Sequence, residues 1–179
     1  MRQPLDRARL AAVLEELARS ATGSATIYLV GGTTAVVYGW RATTNDIDLL
    51  IEPERDDLSR AIQSIKERFH VNVEFASPLD FLPPLPGWRD RSPFVMQVGQ
   101  LTVRHFDPYA QALAKIERGF DQDARDVTAM IEARIVDPKE LSRLFDAIAP
   151  SLYRFPAVDA ASLGAAVERV VAGSLPRDW

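Results

Sequence analysis

Apolar residues recur at spacings of three and four near the start of the chain, at Leu10, Val13, Leu14 and Leu17, and predict one helix over residues 5–20. The β-branched run ATIYLV (25–30) stops at Gly31-Gly32, so it reads as a strand entering a tight turn, with a short helix over TTAVVYG after it. In DIDLLIE (46–52) the pattern alternates. Ile47, Leu49 and Ile51 share one face and Asp46, Asp48 and Leu50 the other, which predicts a strand with one covered and one open face. Leu58, Ala61, Ile62, Ile65 and Phe69 then lie at helical spacing, and VNVEFA (71–76) sets Val71, Val73 and Phe75 against Asn72 and Glu74.

Prolines 78, 83, 84, 86 and 93 exclude regular structure from residues 77–93 and predict a long ordered loop. FVMQV and LTVRHF follow, joined by Gly99-Gln100 as a hairpin whose first turn residue needs positive φ. Beyond residue 106 the pattern is helical only. Asp107-Pro108 starts a helix that Gly119 ends, Asp137-Pro138 starts one carrying Leu141, Leu144, Phe145 and Ile148, and Asp159 caps a last one with Leu163, Val167, Val170 and Val171. The expected fold class is α+β, a small mixed sheet with helices on one face. Its expected parts are a core over 1–106 that includes the loop 77–93, and a helical region over 107–179 packed on that core.

Composition narrows the chemistry. Apolar residues at 47% and charged residues at 26% give a globular balance, and 179 residues suffice for one well-filled core. A net charge of -4 gives no basis for tight, non-specific binding to nucleic acid. With no cysteine, disulfides, thiolate catalysis and the common structural zinc sites are excluded, and two histidines are too few for a histidine-built metal centre. No segment reaches the roughly 18 apolar residues of a membrane span, and the N-terminus lacks a signal peptide's apolar region, so a cytoplasmic location without membrane association is expected.

The aspartates in DIDLLIE carry the candidate chemistry. Residues two apart on a strand share a face, so Asp46 and Asp48 present two carboxylates side by side. Their mutual repulsion is relieved by a divalent cation, and hard oxygen donors suit Mg²⁺ or Mn²⁺. Glu74 would add a third oxygen ligand if the two strands are neighbours. Upstream, Gly31-Gly32-Thr33 allows a tight turn. The N–H groups that open the following helix, with the hydroxyl of Thr33 or Thr34, can cradle a phosphate.

The combination is more specific than either half: Gly-Gly, thirteen residues, then Asp-x-Asp with Ile47 and Leu49 as the interleaved apolar residues. VGGTTAV…RATTNDIDLLIE resembles the signature of the nucleotidyltransferase superfamily with the DNA polymerase β-like fold. DPYAQALAKIERGFDQDARDV is similar to the families around the AbiEii toxins of toxin-antitoxin systems. Over about the first 135 residues, the resemblance implies Mg²⁺-dependent transfer of a nucleoside monophosphate from an NTP to an acceptor, with release of pyrophosphate. It makes Asp46 and Asp48 metal ligands, puts Gly31, Gly32 and Thr33 around the β and γ phosphates, and matches Glu74 to the third carboxylate and Lys115 to a phosphate-contacting lysine.

Asp126 is either a partner that orients Lys115 or joins in proton transfer, or a helix residue favoured by the macrodipole. Arg41 stands between the glycines and the aspartates, placed to touch phosphate or to pair with an acid. Arg118, three residues beyond Lys115, reads mainly as a solvated charge. Trp88 with Arg89 and Arg91 reads first as a tryptophan pinning the proline-rich loop, and second as a base-stacking site. His70 and His105 are assigned no catalytic role. The acceptor, an RNA end such as that of tRNA, a protein or a small molecule, is unspecified, as is a cognate antitoxin. A non-catalytic nucleotide-binding or antitoxin-like module of the same fold is the competing reading.

Overall fold

Local signals set where the elements begin and end in the computed structural model, which describes residues 3–174. Helix α1 (Arg7–Ser20) starts where the Asp6 carboxylate accepts the Arg9 N–H. Strand β1 (Ala25–Val30) leads directly into α2 (Gly31–Tyr38), and β2 (Asp46–Glu52), α3 (Asp56–Phe69) and β3 (Asn72–Phe75) follow. After the proline-rich segment, which holds one 3₁₀ turn at Pro78–Asp80, β4 (Phe94–Val98) and β5 (Leu101–His105) form a hairpin, with Gly99 at φ 56° as its turn requires. The remaining helices are α4 (Pro108–Arg118), α5 (Asp121–Glu132), α6 (Pro138–Ile148) and α7 (Ala160–Val171). Asp107, Asp137 and Asp159 each cap the helix the sequence assigned to them.

The five strands form one mixed sheet in the order β3-β2-β1-β5-β4. β1 is antiparallel to β2 and parallel to β5, and β2 is parallel to β3. Ile27, Leu29, Ile47, Leu49, Ile51, Leu101 and Val103 turn to one face, where they pack with Leu10, Val13, Leu14 and Leu17 of α1 and Leu58, Ile62 and Ile65 of α3. Each such buried aliphatic side chain contributes roughly 1.5–3 kcal/mol. That burial fixes the register of β2, because a one-residue slip would drive Asp46 and Asp48 into the apolar layer. Phe75 departs from the expected alternation. It ends the short edge strand and is 56% exposed, while Val71 and Val73 are buried.

The chain divides into two compact units. One comprises Met1–Ser77 and Ser92–Phe106, the other Pro78–Arg91 and Asp107–Trp179. The helices from Asp107 onward fall in the second unit, and most of the proline-rich loop groups with them rather than with the sheet. In that unit Leu82, Leu85 and Trp88 are buried, as are Leu113, Ile116, Leu141, Leu144, Leu163 and Val167 of the helices. The Arg89 guanidinium stacks 4.3 Å over the Trp88 ring, and Arg91 donates to the Pro86 carbonyl and to the Asp107 carboxylate. Those contacts match the loop-pinning reading of Trp88. Val171, expected on the apolar stripe of α7, is 39% exposed.

Candidate active site

The parallel pairing of β2 with β3 sets Asp46 beside Asn72 and Asp48 beside Glu74. With Ile47, Leu49 and Val73 turned into the core, all four polar side chains share the opposite face. Asn72 is 7% exposed, and its amide nitrogen donates to Asp46 Oδ1 at 2.9 Å and to Glu74 Oε1 at 2.5 Å. One neutral group thus bridges two acids. A carbonyl oxygen turned the same way would face two carboxylates, so electrostatics fixes the orientation of the amide. Among the described residues, no ion pair involves Asp46 or Glu74.

The glycine turn lies against the same patch. Gly31 has φ +61°, a conformation that costs a residue with a Cβ roughly 1–2 kcal/mol, and a Cβ there would stand 2.7 Å from Asp48 Oδ2. A Cβ on Gly32 would collide with the Thr44 hydroxyl and stand 3.3 Å from the Arg41 guanidinium. The side chains of Asp48, Thr44 and Arg41 therefore close in on Gly31 and Gly32, an approach that is possible because both glycines lack side chains. Thr44 is held in place by reciprocal backbone hydrogen bonds with Leu5, of 2.7 and 2.9 Å. Nothing in the periodicity of the sequence marks Thr44 or Asn72, since each depends on pairing with a distant segment.

Thr33 and Thr34 point inward. Thr33 is fully buried, and its hydroxyl lies 3.3 Å from the Asp46 carbonyl and 3.3 Å from the Asp48 N–H, tying α2 to the backbone of β2 between the two aspartates. Thr34 donates to the Leu29 carbonyl at 2.9 Å and lies 3.3 Å from His105 Nδ1. The ring of His105 is stacked 4.1 Å from that of Tyr38, which in turn stacks 5.2 Å from Trp40. Burial lowers the His105 pKa to about 4. His105 is thus a neutral residue packed against Thr34 and Tyr38.

Lys115, Arg118 and Asp126 belong to the second unit, where the structure brings them together. The Lys115 ammonium is 2.6 Å from Asp126 Oδ2 and 3.2 Å from Asp123 Oδ1, and all three residues are at most 5% exposed. Arg118 also grips Asp123, at 2.7 and 2.5 Å, and Gln122 donates to Asp126. Burial alone would raise the Asp123 pKa, but the Arg118 hydrogen bonds and the Lys115 charge outweigh it and leave the pKa lowered. Asp126 sits in the body of α5 rather than at its start, and its carboxylate accepts from the Lys115 ammonium. Asp123 went unnoticed in the sequence, although its spacing of five from Arg118 spans the α4–α5 turn.

The donors on the β2 face are all hard oxygens, which suits Mg²⁺ or Mn²⁺. Among the described residues, no three His, Asp or Glu side chains are grouped so as to hold a metal ion. That does not conflict with the donor chemistry, because Mg²⁺ is commonly bound through one or two carboxylates and the phosphates of its substrate, with waters completing the shell. The glycine turn at Gly31 lies directly against the Asp48 carboxylate. Among the described residues no helix is long and apolar enough to cross a membrane. No curated protein and no solved structure gives a significant match. A family model described as "Nucleotidyltransferase of unknown function (DUF6036)" does match, over residues 8–163, a span holding the glycine turn, the paired aspartates and the buried lysine cluster, and the chain belongs to that family.

Proposed function

We propose that the chain transfers a nucleoside monophosphate from an NTP to an acceptor hydroxyl, releasing pyrophosphate, with Mg²⁺ or Mn²⁺ as its cofactor. The observation that supports this reading is the close packing of the Asp48 carboxylate against Gly31, at the glycine turn that opens α2. Asp46 and Asp48 would hold the cation, with Glu74 at the edge of the same patch. When bound, the cation supplies charge neutralisation for the pyrophosphate and acidifies an acceptor hydroxyl.

The chain's own groups do the positioning. Backbone N–H groups opening α2 bind phosphate oxygens, favoured by the positive end of the helix dipole. Arg41, alongside Gly32, adds a delocalised positive charge suited to bidentate phosphate contact. Thr33 and Thr34 serve from inside, locking α2 to β2 and β1, so of the expected cradle of N–H groups and hydroxyls this reading keeps the N–H groups. Lys115 keeps its charge balanced against Asp123 and Asp126. In this reading it stabilises the helical unit, and Arg41 replaces it as the leading phosphate cation.

The test is incubation with each α-labelled NTP, Mg²⁺, and RNA, protein and small-molecule fractions of a cell extract. Label should pass to one class of acceptor and should be lost in Asp48→Ala. NTP binding without transfer to any fraction would instead favour a binding module. If the toxin resemblance extends to activity, expression should arrest growth and Asp48→Ala should relieve the arrest.

A further inference from the structure

We infer that Asn72 is a positioning residue of the cation site, bracing Asp46 and Glu74 as one unit; the inference rests on the proposed function above. The geometry that carries it is the bridge itself. One buried amide nitrogen uses its two hydrogens on two different carboxylates, one on each of two parallel strands. Glu74 is exposed and ends a long flexible stem, so without a partner it would sample many rotamers. Asn72 removes that freedom and offsets the repulsion between two acids in the absence of any cation.

The bridge also decides what remains available. The amide occupies one lone pair of Asp46 Oδ1 and leaves Asp46 Oδ2 to a ligand, so bracing does not block the site. Asp48 takes no part in the bridge and lies instead against the turn at Gly31. The bridge and the turn, independent in sequence, thus lie on two sides of one acidic patch. The type of residue matters as much as its place. Aspartate at position 72 would have nearly the same shape but would add a further negative charge where the structure has a donor, and alanine would leave both acids unbraced.

The experiment measures Mn²⁺ affinity by electron paramagnetic resonance, with and without a non-hydrolysable NTP, for the wild type and for Asn72→Ala, Asn72→Asp and Asp48→Ala. Loss of the brace should weaken Mn²⁺ binding by roughly tenfold in Asn72→Ala, the range seen when a residue orienting metal ligands is removed. Asn72→Asp should melt at a lower temperature than the wild type in chelator and gain more stability from Mn²⁺ than the wild type does. Should Asn72→Ala fail to fold, that metal-dependent gain in Asn72→Asp carries the test alone. Unchanged Mn²⁺ affinity in a folded Asn72→Ala, or an equal Mn²⁺ gain in Asn72→Asp and the wild type, would overturn the inference while leaving the proposed function standing. Wild-type Mn²⁺ affinity in Asp48→Ala would instead remove the reading on which it rests.

Discussion

Asp126 and Asp46 are both aspartates on regular elements, yet their surroundings differ in kind. Asp126 is 1% exposed with a lysine ammonium 2.6 Å away, whereas Asp46 is half-buried and meets a neutral amide at 2.9 Å. In the helical unit two buried carboxylates face two cations, so the local charge is closed. On the face of β2, Asp46 and Glu74 share one uncharged donor and meet no cation among the described residues, so their charge is left open. Closed clusters contribute to stability or at least cost much to break. An open acidic patch held in position is what a cation-dependent reaction needs. The residue type alone carries no such information, and the partners supply it.

The largest expected effect comes from breaking the closed cluster. Lys115→Met removes the ammonium shared by Asp123 and Asp126 and should lower unfolding free energy by about 3–5 kcal/mol, seen as a shift of the urea midpoint. A midpoint within error of the wild type would show that the cluster is not structural. On the open side the opposite signature is expected. Asp48→Asn should cut nucleotide transfer by roughly a hundredfold or more while moving the melting temperature little, and joint loss of activity and fold would erase the contrast.

A third environment sharpens the comparison: His105, buried 4% exposed between Thr34 and Tyr38. Burial holds its folded-state pKa at about 4, below its ordinary 6.5. Between those values the unfolded chain binds a proton that the folded chain does not, so stability falls as pH drops through that window, by at most about 1.4 kcal/mol per pH unit from this group. Urea titrations from pH 7 to 4 should show that slope in the wild type and a shallower one in His105→Gln; equal slopes would place the pH dependence elsewhere. The smallest effect is expected for Glu74→Gln, which keeps the shape of the bridge's outer end. Transfer should fall about tenfold or less, and a loss as deep as that of Asp48→Asn would promote Glu74 to an indispensable ligand.

Local rules placed most elements, because caps, glycine stops and strand alternation act within a few residues of where they are read. The helices beginning after Asp107, Asp137 and Asp159 and the hairpin at Gly99 are of this kind. The paired aspartates were legible for the same reason, since a period of two assigns both to the open face of β2. What escaped the sequence depends on distant pairing. Asn72 matters because β3 lies parallel to β2 in one particular register, and Thr44 because it pairs with Leu5. Lys115 looks like an ordinary helix-surface lysine until α5 brings Asp123 and Asp126 against it. Thr33 and Thr34 fit a phosphate cradle by type and position, but the close packing of α2 on the sheet turns both inward.

The central claim concerns the open patch, and it is tested most directly by calorimetric titration of a non-hydrolysable NTP into the protein with Mn²⁺ or with chelator. Tight binding is expected in Mn²⁺, with most of it lost in chelator and in Asp48→Asn. Equal affinity under all three conditions, or no affinity for any nucleoside triphosphate, would contradict the account.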